Sequence, residues 1–213
     1  MRHQDPDVAE ESALHARGFR LVAGIDEVGR GALAGDVVAA AVVLSADGSV
    51  LQRLRGVRDS KQMTPRQRST LYSTIQAEAI AIGLGRVSAQ DIDRMGIVQA
   101  TRQAMSLAVA GLGVPPDYLL IDALYLPEVA IPQKPIIKGD ARCLSIAAAS
   151  VIAKVTRDTM MVELDAVYPG YGFARHKGYG TAFHCQSLGI LRPCPDHRRS
   201  YAPVRAAMGD EGV

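Results

Sequence analysis

The chain has no tryptophan, only three phenylalanines and only three cysteines in 213 residues. So few thiols, at the irregular positions 143, 185 and 194, suit neither a disulfide framework nor a zinc knuckle, and they read as free thiols. Long apolar runs are missing as well, with none near the roughly 20 residues needed to span a bilayer. The first eleven residues are polar and acidic, unlike a signal or transit peptide, so the expected location is the cytoplasm. Neither sign of charge dominates. The 24 Lys and Arg against 22 Asp and Glu leave a formal +2, which by itself says little about partners. What is present is an ordinary globular composition, 48% hydrophobic and 22% charged, in a length that fits one large domain.

Residues 1–18 show no periodicity and read as a disordered or frayed lead-in. The runs at 20–26 (RLVAGID) and 37–44 (VVAAAVVL) read as buried strands joined by the turn-rich GRGALAGD. Thr64-Pro65 is an N-cap with proline at the first helical position, opening a helix to about residue 79. A strand follows at 80–87, Ser88 caps a short helix, and Ile97, Ala100, Thr101, Ala104, Met105 and Ala108 form a helical stripe. Residues 117–122 (DYLLID) make another buried strand, and Ile136 with Ile137 marks one more. Leu144, Ala148, Val151, Ile152 and Val155 form a second stripe. Strands alternating with helices argue for a layered α/β domain, with the strand order left open. Residues 19–168 read as its core, and 169–213 as a basic C-terminal part of the same compact unit. There Arg175, Lys177, Arg192, Arg198, Arg199 and Arg205 oppose only Asp196, which suits either a solvated face or contact with nucleic acid.

Chemistry is signalled most strongly by acids at strand ends. Asp26-Glu27 closes the first strand, Asp122 closes DYLLID, and Asp140 follows the IIK run just before a helix. Carboxylates meeting there would make a negative pocket suited to Mg²⁺ or Mn²⁺, and two such ions can hydrolyse a phosphodiester. Each acid taken alone is more simply a turn former or helix cap, and Asp140 could merely complement the dipole of the helix after it. Because neighbouring strand residues point to opposite faces, Asp26 and Glu27 share a site only if the strand ends or turns there. Gly29-Arg30-Gly31 lets backbone approach a ligand such as a ribose 2′-hydroxyl, with Arg30 free for a phosphate; a tight turn with a solvated arginine is the plain alternative. Ser60 and Lys61 suit a phosphate. Lys154, Arg157 and Asp158 could bind phosphate too, although Lys154 and Asp158 can simply pair. Tyr179, between glycines, is placed to stack on a sugar or base. His176, His184 and His197 lack ligand spacing and read as non-ligands.

Together these segments resemble the ribonuclease HII family from about residue 21 to 205. The markers occur in the family's order: GIDEVGRGALAG at 24–35, DSKQMT at 59–64, DYLLID at 117–122, IIKGDA at 136–141, SIAAASVIAKVTRD at 145–158, HKGYGT at 176–181 and HRRSYAPV at 197–204. The resemblance implies a ribonuclease H-like fold, a central mixed β-sheet flanked by helices with a small helical C-terminal extension. It implies that Asp26, Glu27, Asp122 and Asp140 are the catalytic metal ligands for Mn²⁺ or Mg²⁺. Gly29, Arg30 and Gly31 match the family's 2′-hydroxyl sensor, Tyr179 its stacking tyrosine, and Ser60 and Lys61 its phosphate contacts. The implied reaction cuts RNA in RNA–DNA hybrids, and 5′ of single ribonucleotides in duplex DNA, leaving a 3′-hydroxyl and a 5′-phosphate. This is the chemistry of ribonucleotide removal and RNA primer processing.

Ala32 and Asp36 stand where the family pattern has prolines, which implies a looser loop and added negative charge near the site. Ala123 replaces a usual glycine in a way not expected to disturb a ligand. A monomer is implied; the closing MGDEGV neither indicates nor rules out a sliding-clamp contact. A Mg²⁺-dependent phosphatase or a recombinase-type strand-transfer nuclease shares acid-lined cores but needs no 2′-hydroxyl reader. A non-catalytic hybrid-binding protein would not need all four acids.

Overall fold

The computed structural model describes residues 5–209, so the very start and the end of the chain, including most of MGDEGV, lie outside the described residues. In chain order the elements are α1 (Ala9–Ala16), β1 (Val22–Val28), β2 (Val37–Leu44), α2 (Val50–Arg53), α3 (Pro65–Glu78), β3 (Ala79–Val87), α4 (Ala89–Met95), α5 (Ile97–Ala110), β4 (Tyr118–Asp122), β5 (Gln133–Ile136), α6 (Leu144–Val167), α7 (Phe173–His176), α8 (Ala182–Leu191) and α9 (Ala202–Met208). The start signals act as expected. Thr64 and Gln67 form a reciprocal capping box on α3, and the Ser88 hydroxyl accepts from Asp91 N at the head of α4.

The five strands form one mixed sheet in the order β3-β2-β1-β4-β5. β2 runs antiparallel to both β1 and β3, while β4 lies parallel to β1 and β5 parallel to β4. All eight residues of β2 are buried, because helices cover both faces of the sheet. Ala39, Ala41 and Val43 pack toward Ala100, Ala104 and Met105 of α5. Val38, Ala40 and Val42 pack toward α6 and Ile75 of α3. Small residues let α6 lie hard against β1: a Cβ on Gly24 would stand 2.2 Å from the Ser145 carbonyl carbon. Substituting alanine there would push away the helix that backs the site.

The lead-in departs from expectation. Residues 9–16 form α1, and its buried Glu11 accepts hydrogen bonds from Ser145 N (2.9 Å) and Ser145 Oγ (2.7 Å). Asp7 accepts from Leu144 N as well. These acceptors satisfy N–H groups that the first turn of α6 leaves free, so the segment is held by a helix start more than 120 residues away in sequence. A local reading of periodicity has no access to such a partner. Among the described residues, no helix is long and apolar enough to cross a membrane.

Candidate active site

Three parallel strands, β1, β4 and β5, deliver their carboxyl ends to one edge of the sheet. β1 and β4 pair only as far as Ile25 and Ile121, whereas β1 stays paired with β2 to Val28. Beyond Ile121, β4 ends and Ala123 takes a left-handed conformation (φ 53°). The gap opens where the chain order of the sheet reverses, the usual place for a ligand in such sheets. Asp26 and Asp122 lie at its two sides, and Asp140 comes from the 3₁₀ turn Gly139–Ala141 that follows β5. Gly139 N donates to Asp122 Oδ1 at 2.7 Å and fixes that carboxylate.

Glu27 meets the difficulty posed by strand alternation in its own way. β1 does not end before it, but the departure of β4 leaves it unflanked on that side, and Gly29 (φ 93°) turns the chain two residues later. Its charge is felt by Asp26, and that of Asp122 is felt by Glu27. Burial first, then the charges of Glu27 and Asp122, pushes the Asp26 carboxyl well above its ordinary range. Burial likewise raises Glu27 against the relief offered by Arg30, whose Nη1 is 3.2 Å from Glu27 Oε1. Asp140 is raised by burial and by Asp59, with Lys61 opposing.

Lys61 Nζ stands 3.5 Å from Asp140 Oδ2. Burial disfavours its charge, but Asp26, Asp59 and Asp140 together outweigh that and raise it. Asp140 is therefore engaged by Lys61, while Glu11 serves the head of α6. Among the described residues, no three carboxylates, imidazoles or thiols stand close enough together to grip one ion as they are. The donor set nonetheless fits a hard cation. Asp26 Oδ2 and Glu27 Oε2 are buried without a hydrogen-bond partner, and only oxygen ligands converge here.

Of the other expected site residues, Gly29, Arg30 and Gly31 border the acids directly. A Cβ on Gly29 would collide with Arg157 Nε at 2.2 Å, so glycine is required there by contact as well as by conformation. Tyr179 lies beside this loop, its backbone bridged to Ala32 and its ring, 37% exposed, 5.8 Å from the Arg157 guanidinium carbon. Ser60 departs from expectation. It is buried and its hydroxyl pairs with Ser150 Oγ at 2.9 Å, so that hydroxyl braces α6 and is not exposed at the surface.

Two arginines read from sequence as possible phosphate or surface cations are fully buried instead. Arg157 donates to the carbonyls of Asp36 (2.8 Å), Lys177 (2.8 Å) and Ala34 (3.0 Å). Arg198 donates to Gly35 O (2.8 Å) and Arg30 O (2.9 Å), and Tyr201 Oη also donates to Arg30 O (2.6 Å). Burial pushes the Arg157 guanidinium down to about 10, still charged at neutral pH. The two side chains bind residues 30–36 to the C-terminal part, so the loop is pinned despite lacking both prolines. Asp36 is raised chiefly by burial and lies among Arg86, Arg157 and Arg198. Lys154 pairs with Asp158 at 2.6 Å, as its spacing allowed. No local sequence signal distinguishes a buried arginine from a surface one. The GRG loop and the HRRSY segment become neighbours only through the fold.

Comparison with known proteins agrees with this architecture. The family model described as Ribonuclease HII matches residues 23–204. A ribonuclease HII of Geobacillus kaustophilus is 55% identical over 198 residues, covering 93% of this chain and 74% of that protein. One from Dehalococcoides mccartyi is 50% identical over 206 residues, covering 94% and 95% respectively. Among solved structures, the ribonuclease H2 of Pyrococcus horikoshii superposes with a TM-score of 0.74 at 28% identity, covering 87% of this chain and 96% of that one. A Bst-RNase HIII in complex with Mn²⁺ shares the fold at a TM-score of 0.68 and 20% identity, over 92% of this chain and 72% of that one. With a mixed sheet of ribonuclease H-like topology, acids gathered at its parallel strand ends and a family match over most of its length, the chain belongs to the ribonuclease HII family.

Proposed function

We propose that this chain cuts 5′ of a single ribonucleotide embedded in duplex DNA, leaving a 3′-hydroxyl and a 5′-phosphate, in addition to the hydrolysis of RNA in RNA–DNA hybrids that its family performs. The observation that carries the reading is the adjacency of the acid cluster to the GRG loop and Tyr179. One group would do the chemistry and the other two would choose the bond. Asp26, Glu27, Asp122 and Asp140 would hold the divalent ions, Mg²⁺ or Mn²⁺. When bound, a pair of such ions supplies an activated water and offsets charge on the leaving oxygen. The residues do the rest. Gly29 and Gly31 bring main-chain groups to the ribose, where a 2′-hydroxyl both donates and accepts, and Arg30 can exchange Glu27 for a phosphate. Tyr179 stacks on the neighbouring nucleotide from the C-terminal part, residues 169–209, which thereby serves as the substrate-binding part of the same unit. Lys61, with a raised affinity for its proton, stays cationic beside Asp140 and meets a phosphate.

All these groups belong to one chain, which supports action as a monomer, and a cytoplasmic enzyme would find its duplex there. A solved neighbour from Archaeoglobus fulgidus is a PCNA:RNase HII complex, and whether this chain meets a sliding clamp is left open. The test uses labelled duplex DNA carrying one ribonucleotide, with Mg²⁺, with Mn²⁺ and with EDTA. Wild type should cut 5′ of the ribonucleotide, and both Asp122→Asn and EDTA should abolish the cut. A wild type that leaves this duplex intact under both metals, while cutting a long hybrid, would refute the single-ribonucleotide reading.

A further inference from the structure

Behind Tyr179 the C-terminal part buries three imidazoles that the proposed chemistry does not use. His184 and His197 are at most 1% exposed, and His176 is 9% exposed. Their rings pack together, His176 stacking on His184 at 4.4 Å, with Phe173 set edge-on to His184 at 5.5 Å. Backbone amides, which can only donate, fix the protons. Cys194 N lies 3.0 Å from His197 Nδ1, so that nitrogen accepts and the proton of His197 is on Nε2. His197 Nε2 is 3.1 Å from His184 Nε2, which must accept it. The proton of His184 is therefore on Nδ1, 3.0 Å from the carbonyl oxygen of Tyr179. His176 stands apart from this series, accepting from Gly178 N at 3.2 Å and donating to Tyr171 O at 2.7 Å.

We infer that His184, held in one tautomer by His197, is a positioning residue for Tyr179: its Nδ1–H fixes the Tyr179 carbonyl and thereby the ring offered to substrate. The inference rests on the substrate-stacking role proposed for Tyr179. Among the described residues the only other donor to that carbonyl is Thr181 N at 2.8 Å, which belongs to the same turn and cannot by itself fix the turn against the rest of the molecule. His184 sits in α8, and His197 is tied through the Ala34 bridge to the segment that Arg157 and Arg198 clamp. The Ala32 bridge and the Leu33 N to Gly178 O bond (2.7 Å) hold one side of the Tyr179 backbone to the sensing loop, and the histidine series holds its carbonyl from the other. It works only with both rings neutral, since a second proton on either would put two N–H groups face to face. Burial depresses both imidazoles in keeping with this, and the titratable groups around them are Tyr171, Cys194 and His176, with no carboxylate in contact among the described residues.

The first test is direct. Long-range proton–nitrogen NMR of the wild-type protein at neutral pH should show His184 protonated on Nδ1 and His197 on Nε2; the opposite tautomer at His184 overturns the inference. The second reads function in His184→Leu and His184→Asn, the latter placing an amide N–H where Nδ1–H stands. His184→Leu should raise KM about tenfold, the equivalent of one hydrogen bond, with kcat within about twofold. His184→Asn should recover most of the loss. An unchanged KM in His184→Leu, or equal defects in the two variants, marks a merely packing role and overturns the inference. Should wild type fail on the single-ribonucleotide duplex, that failure belongs to the substrate reading, and the same KM comparison is made on a plain RNA–DNA hybrid.

Discussion

Replacing Asp26 by asparagine should make the protein inactive and more stable at once. Asp26 is 2% exposed, its Oδ2 has no hydrogen-bond partner, and Glu27 and Asp122 press like charge on it. The Ser150 hydroxyl, already paired with Ser60, relieves it only weakly. In Asp26→Asn the Oδ1 atom can keep the bond from Glu27 N, 2.8 Å long, while the new amide turns an orphan acceptor into a donor facing carboxylates. Removing one unsatisfied buried polar group is worth about 1–3 kcal/mol. For a chain of this size that is roughly 2–12 °C in melting temperature. Thermal unfolding in EDTA at pH 7.5 should show the gain, and a cleavage assay with Mn²⁺ should show no product. Added Mn²⁺ should raise the wild-type melting point and move the variant's far less, because binding stabilises only a folded state that can hold the ion. A variant that melts at or below wild type in EDTA would refute the idea that the site is charged at the expense of stability.

Arg198→Met should cost about 3 kcal/mol in urea unfolding, because the carbonyls of Gly35 and Arg30 lose a charged donor inside the protein. Discrimination between ribose and deoxyribose should fall with it, whereas a surface cation would give a loss near zero. Ala123→Gly should stabilise by about 1 kcal/mol, since Ala123 sits at φ 53° where a Cβ is disfavoured, and activity should be kept. Burial, then the neighbouring His184, depresses His197 to about 4 from the 6.5 of an open imidazole. Its contribution to stability is therefore fully present above pH 6.5 and lost as pH falls toward 4, up to about 3 kcal/mol at ~1.4 kcal/mol per unit. The raised carboxylates of Asp26 and Glu27 act oppositely on the same descent, so the readout is the difference in unfolding free energy between wild type and His197→Gln. That difference should shrink between pH 7 and pH 4; a constant difference would show that His197 is not buried neutral.

Elements whose stabilising partners are close in sequence were legible. β2 can be read from its uninterrupted VVAAAVVL, and α3 from Thr64, Pro65 and Gln67, because strand burial and helix capping act over a few residues. The acids were legible only as a set: each alone reads as a turn former or helix cap, and it is their recurrence at the ends of apolar runs that marks them. Their convergence was not. It depends on β4 inserting beside β1 and ending early, which is a matter of sheet order and register and leaves no mark within residues 117–122. The family motifs supplied that link in place of physics.

The residues that sequence misread share one property: each is polar and each finds its partner across the fold. Glu11 looked like part of a loose acidic start until Ser145 met it. Arg198 looked like one cation among six, and Ser60 like a hydroxyl for a phosphate. In every case the side chain type predicts solvent, and the buried position is affordable only because backbone or hydroxyl groups from a distant segment satisfy it. These buried polar contacts gather around residues 30–36 and the head and middle of α6, the elements that flank the acids. An apolar contact would hold such a loop with many near-equal arrangements. A guanidinium bound to three fixed carbonyls allows far fewer, and a loop that must tell one hydroxyl from a hydrogen needs that restriction more than it needs added stability.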